Sequence, residues 1–283
     1  MVSGPGDRRR HPSCLACWRV CDGLDEPGNA VAGASGDGWG DYLALFHDER
    51  PGVTEDVLAD ASADSGTDPY DWLAQALPRD GLIVDVACGS GPLARRTARW
   101  VGLDRSPAEL RRAAPVAPGR VVLADAGCAP VRAGAADAVV CSMALMLLDD
   151  PGAAVAEMAC LLRDGGRFAA LVPATAPLTL RDRMHYVRLL AALRLRRLPF
   201  RHPDLLADPR PLLAPAGLTI VSADRRRFVY PLVEPGDAQQ WVRSLSLPGV
   251  DPRRLCAAQR VTRRWTGSGI GIPLWRLVAT TNR

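Results

Sequence analysis

Apolar positions recur along this chain in two rhythms. Short apolar runs that suit buried strands alternate with stretches of helical spacing. The runs cover residues 81–87, 100–103, 120–124, 137–142 and 167–172, and the second and third end at Asp104 and Asp125. Between them the pattern predicts a short helix at 93–99 and a helix opened by Ser106 as N-cap with Pro107 in its first turn. A further helix is expected at 151–162, closed by Gly165 and Gly166. Strand and helix alternate at short spacing, which implies a parallel sheet covered on both faces. Residues 39–77 read as helical, with turn signals at 62–70 parting two helices. The second half predicts helices at 180–198, 205–216, 235–245 and 251–265, and strands at 218–230 and 272–280.

Composition adds little to the fold and more to the setting. The chain has 283 residues, 48% of them apolar and 23% charged, enough for a sizeable core. All of its 35 basic residues are arginine, as befits a GC-rich bacterial genome. From residue 171 onward 19 arginines face 7 acids, while the first 170 residues are net acidic. Such asymmetry suits either an anionic partner or a solvated arginine face. No apolar run approaches the roughly 18 residues a membrane span needs, so no membrane partner and a cytoplasmic location are expected. Residues 1–37 lack periodicity and predict a disordered extension, or the product of an early start codon. Within it Cys14, Cys17 and Cys21, with His11, only loosely match a zinc site, so no metal is expected. A reducing cytosol argues against structural disulfides.

The chemistry centres on V-D-V-A-C-G-S-G at 84–91. Gly89 to Ala94 fits G-x-G-x-x-G/A, which alone would suit a dinucleotide. Three details point elsewhere. Asp85 lies inside the strand. Asp104 follows Gly91 by only about 13 residues, short for the ribose acid of that fingerprint. Pro92 stands where backbone N–H groups would meet a pyrophosphate. With V-G-L-D-R-S-P at 101–107, L-A-D-A at 123–126, A-D-A-V-V-C-S-M at 136–143 and L-L-R-D-G-G-R-F-A-A-L-V-P at 161–173, the segment resembles class I S-adenosylmethionine-dependent methyltransferases of the small-molecule branch. Asp164 stands where that family usually has Pro.

The resemblance implies an α/β fold: a doubly wound, seven-stranded, mostly parallel Rossmann-like sheet with a helical cap. It implies S-adenosyl-L-methionine as cofactor. Asp104 would bind the ribose with Arg105 beside it. Asp125 and the Ala126 N–H would face adenine, and Asp85 the methionine ammonium. Ala87, Gly89 and Gly91 would form the cradle, Ser142 would lie near the sulfonium, and Tyr42 on a covering helix. The methyltransferase domain would span 38–283, with helices in 39–77 and an insertion at 175–216 capping the acceptor. His47, His185 and Tyr186 are the candidates for a general base. A D/N-P-P-Y/F/W motif, which amino-methylating nucleic-acid enzymes resemble one another in, is replaced by C-S-M-A, so a small organic acceptor is expected. An rRNA or tRNA base methyltransferase, a non-catalytic cofactor-binding regulator and a nicotinamide-dependent oxidoreductase stand as alternatives.

Overall fold

The computed structural model describes residues 38–281. The N-terminal extension, with Cys14, Cys17, Cys21 and His11, lies outside the described residues. Helices α1 (Trp39–Glu49), α2 (Val53–Ala59) and α3 (Pro69–Ala74) come first. They lead into β1 (Leu82–Val86), β2 (Arg99–Asp104), α4 (Pro107–Ala113), β3 (Val121–Leu123), β4 (Ala136–Ser142), α5 (Pro151–Leu161) and β5 (Leu162–Pro173). Then follow α6 (Leu180–Leu193), three 3₁₀ turns, β6 (Leu218–Leu232), α7 (Pro235–Ser244), α8 (Pro252–Arg263) and β7 (Ser268–Thr281).

The strands form one seven-stranded sheet in the order β3-β2-β1-β4-β5-β7-β6. The first five are parallel, and β7 runs antiparallel between β5 and β6. The chain leaves β1 toward one edge and returns at β4 toward the other. This reversal opens a crevice at the carboxyl ends of β1 and β4, where sheets of this kind bind ligands.

Strand alternation builds two cores. Ile83, Ala138, Val140, Ala169 and Leu171 pack on one face with Trp72, Trp100, Phe228 and Tyr230. Val84, Val86, Val139, Cys141, Phe168 and Ala170 pack on the other with Val155 and Met158 of α5. Strands buried on both faces read as continuous apolar runs, which is why the central ones were legible. Cys141 is strand packing, and burial pushes its thiol pKa upward.

The local departures have local causes. Arg50-Pro51-Gly52 divides the first expected helix in two, with Gly52 left-handed at φ 74°. Residues 92–96 form turns instead of a helix. There the Arg96 and Ala94 amides donate to carbonyls three residues back, and the Thr97 hydroxyl takes the Leu93 carbonyl. Helix α5 stops at Leu161 because Leu162 is already extended and pairs with Ala136, so Gly165 and Gly166 lie in β5. Helix α6 ends where Arg194 turns left-handed. The helix expected at 205–216 is broken into the three 3₁₀ turns; Pro209, Pro211 and Pro215 offer no N–H to a helical ladder.

Helix α6 is fixed by one buried carboxylate. Asp182, 1% exposed, closes a capping box with Thr179. It accepts from Arg227 Nε at 2.6 Å and Nη2 at 2.9 Å, and from the Gly271 N–H at 3.0 Å. Burial would raise its pKa, but the hydrogen bonds from Arg227 and Thr179 win and hold the carboxyl well below the usual range. A depressed pKa stabilises the fold above the unfolded value and loses that stabilisation as the pH falls. Arg227→Ala strands a buried charge and should cost about 3 kcal/mol near neutrality. Urea unfolding should show the loss shrinking as the pH falls through the carboxylate range, because protonated Asp182 no longer needs a cation.

Candidate active site

Strand β1 ends abruptly. Ala87 is left-handed at φ 57°, and Gly89 and Gly91 follow at φ 54° and 75°. This turn is held from the next strand: Asp104, at the end of β2, accepts from the Gly89 N–H at 2.8 Å. Its other oxygen accepts from the Ser106 N–H, also at 2.8 Å. Ser106 in turn caps α4 by accepting from the Glu109 N–H. Asp104 thus fixes both the glycine loop and the entry to α4. Each carboxylate oxygen retains a lone pair for a ligand hydroxyl. Burial raises the Asp104 pKa, and the hydrogen bonds from Ser106 and Gly89 oppose the rise.

A cavity of about 600 Å³ opens above this turn. Ala87, Gly89, Asp104, Arg105 and Ser142 form its floor, while Phe46 and His47 of α1, Glu55 and Leu58 of α2, and Tyr186 and Leu190 of α6 are in its walls. Trp241 of α7 and Phe200 also line it. Residues of 39–77 and of 175–216 both line this cavity. The share of α7 was not foreseen. A smaller recess of about 200 Å³ is lined by Asp125 and Ala126 together with the same Ala87, Asp104 and Arg105. Arg105 also donates to the Gly40 carbonyl and ties α1 over the strand ends.

Not every sequence candidate reaches this space. Gly91 faces the core, where a Cβ would crowd Ala113 and Trp100 at 3.2 and 3.3 Å. Asp85 is 1% exposed beneath the loop and accepts from Trp100 Nε1 at 3.0 Å. Burial pushes its carboxyl up to about 7. Tyr42 is turned away: its oxygen accepts from the Leu247 N–H, and the ring lines a separate pocket. His185 is removed from the cavity by stacking on Trp265 at 4.1 Å; burial and the nearby Arg181 lower its pKa. Tyr186 does line the cavity, but its hydroxyl donates to the Gly271 carbonyl and burial pushes its pKa upward.

His47 is the candidate base that the structure equips. Its Nδ1 lies 2.8 Å from Glu109 Oε1, and Glu109 Oε2 accepts from the Gly52 N–H at 2.9 Å. Burial would lower the imidazole pKa, but the bond to Glu109 and the charges of Glu109, Glu55 and Asp104 outweigh it and raise it. Sequence reasoning passed over Glu109. S-P-A-E at 106–109 reads as a capping box. Its carboxylate instead reaches α1 and the Gly52 turn, partners 62 and 57 residues away. Glu55 was missed as well, since nothing near it in the chain marks it.

The arrangement fits a ligand with a ribose and cationic groups. Ser142 Oγ is buried in the cavity wall without a hydrogen-bond partner. Gly89 admits close approach, and the acids Glu55, Asp104 and Glu109 gather around one histidine. Among the described residues no group of three metal-binding side chains occurs, and no helix is long and apolar enough to cross a membrane.

Residues 84–170 match the family model described as a methyltransferase domain. The segment that carries the cradle thus matches a methyltransferase domain, a match over less than a third of the chain. Over 124 residues the chain is 33% identical to a malonyl-[acyl-carrier protein] O-methyltransferase of Hahella chejuensis, a match covering 41% of this chain and 44% of that protein. The match therefore spans less than half of that relative. The fold is similar to that of the [4+2]-cyclase SpnF, with TM-score 0.54 and 17% identity over 84% of this chain and 94% of that one. It is also similar to a geranyl diphosphate C-methyltransferase of Streptomyces coelicolor A3(2), with TM-score 0.51 and 14% identity over 86% and 98%.

Gly89 is the most exacting backbone position of the site. An alanine there would be left-handed, and its Cβ would overlap the Glu55 carboxylate. Gly89→Ala should lower stability by about 1–2 kcal/mol in urea unfolding and weaken S-adenosylhomocysteine binding in calorimetry.

Proposed function

We propose that this chain, through its methyltransferase domain, transfers the methyl group of S-adenosylmethionine to an oxygen of an apolar small molecule. One observation carries the reading. The cradle at Ala87, Gly89 and Asp104 and the apolar walls of the cap line a single cavity. A cofactor in the cradle and an acceptor in the cap would therefore meet without water between them. Identity to an O-methyltransferase supports oxygen as the acceptor atom.

When bound, the cofactor supplies a methyl group activated by its sulfonium. The protein's part is to position and to exclude water. Asp104 holds the ribose, Asp125 and the Ala126 N–H the adenine, and Ser142 the reacting end. The apolar walls orient the acceptor, and Arg196 and Arg197, which also line the cavity, suit an acidic group on it. His47 takes the proton of an acceptor hydroxyl. Glu109 holds its Nδ1, which leaves Nε2 for that proton.

Isothermal titration with S-adenosylhomocysteine tests the cofactor site. Micromolar binding by the wild type, abolished in Asp104→Ala, is the expected result; no binding by folded wild type would sink the reading. Transfer is followed with labelled cofactor and a panel of apolar phenols and hydroxy acids. His47→Gln should slow transfer to a hydroxyl by roughly 10²-fold. Because His47 is held protonated by its acids, the wild-type rate should climb with pH beyond the ordinary imidazole value of about 6.5, and the variant should lose that limb.

A further inference from the structure

Two acids lie close to the glycine loop, and they differ in what they can reach. Asp85 is beneath the loop, bonded to Trp100, and is not part of the cavity wall. Glu55 comes from the opposite side, on α2, and is part of that wall. Its carboxylate lies directly over Gly89, where a Cβ on that residue would meet it. The other acids nearby are placed differently. Asp104 serves the ribose end, and Glu109 is not in the wall and is closed by His47 and Gly52. Asp204 belongs to the 3₁₀ turns of the cap.

The surroundings of Glu55 are poor in positive charge. It faces Glu109 and the basic His47, Asp104 of β2, Tyr70 of α3 and Cys88 of the loop. Burial and the Glu109 charge push its carboxyl up to about 8, so it holds a proton near neutrality. A carboxylic acid in the cavity wall, directly over the glycine loop, is placed to meet a cationic group of a ligand held there.

Resting on the reading that this cradle binds S-adenosylmethionine, we propose that Glu55 is the binding residue for the ammonium group of the cofactor's amino-acid part. The ammonium displaces the Glu55 proton to solvent, leaving a carboxylate–ammonium pair. Binding is then linked to the release of one proton. Affinity rises with pH until Glu55 ionises without help.

The test compares full-length wild type with Glu55→Gln, using S-adenosylhomocysteine and 5′-methylthioadenosine, which lacks the amino-acid part. Gln reproduces the shape of protonated Glu, so the free fold should persist. At about pH 7.5, where an α-amine of pKa about 8 is still largely charged, Glu55→Gln should weaken S-adenosylhomocysteine by about tenfold and methylthioadenosine by less than about twofold. Calorimetry near pH 6.5 in buffers of different ionisation enthalpy should show proton release by the wild type and its loss in the variant. Equal weakening of both ligands, or unchanged or tighter S-adenosylhomocysteine, would overturn the assignment. Proton release that persists in Glu55→Gln would assign the proton to His47 and overturn it too. If the Gln variant does not fold, Glu55→Asp keeps the charge on a shorter stem: retained release supports the assignment and lost release refutes it. A wild type that binds neither ligand would defeat the cofactor reading itself, and this assignment with it.

Discussion

The site depends on one hydrogen bond, from the Gly89 N–H to Asp104. It joins the end of β1 to the end of β2 across a turn that passes through left-handed Ala87 and Gly89. Such backbone geometry persists only where its surroundings over-determine it. Asp104 supplies that constraint with one oxygen and fixes the first turn of α4 with the other. From α4, Glu109 reaches back to His47 and to the Gly52 turn, and so positions α1 and α2 over the cavity. A single strand-end carboxylate thus organises loop, helix and cap.

The cavity pairs apolar walls with charged groups of both signs, Glu55, Asp104 and Asp204 beside Arg105, Arg196, Arg197 and His47. Charges in such surroundings interact more strongly than in water, and a buried carboxylate without a cation takes up a proton instead. The raised pKa values of Glu55, Asp85 and Asp104 share burial as their largest cause.

Several arginines of the second half are structural, while most of the others are exposed. Arg227 pairs with Asp182, and Arg276 pairs with Asp224 while lying 4.6 Å above Trp72. Arg226 lies over Trp72 as well, and Arg225 over Trp275. Guanidinium groups over indole faces tie β6 to β7 at Trp275 and both strands to α3 at Trp72. Arg196 and Arg197 differ in facing the cavity.

The sequence by itself determined the sheet, the glycine loop and the strand-end acids. Apolar runs specify strands buried on both faces, and Asp104 and Asp125 lie beside their own strand ends, so spacing along the chain carries their geometry. It also supplied Ser106 as the cap of α4. It misjudged Tyr42, His185 and the approach of Asp85, because which way a helix face or a buried acid turns is set by what packs against it. Only the tertiary structure decided that Glu109 meets His47, that Glu55 stands over Gly89 and that α7 closes the cavity. Those contacts join residues tens to hundreds of positions apart, and no local periodicity records them. Long-range packing selects the partner, while local sequence fixes only the element that carries it.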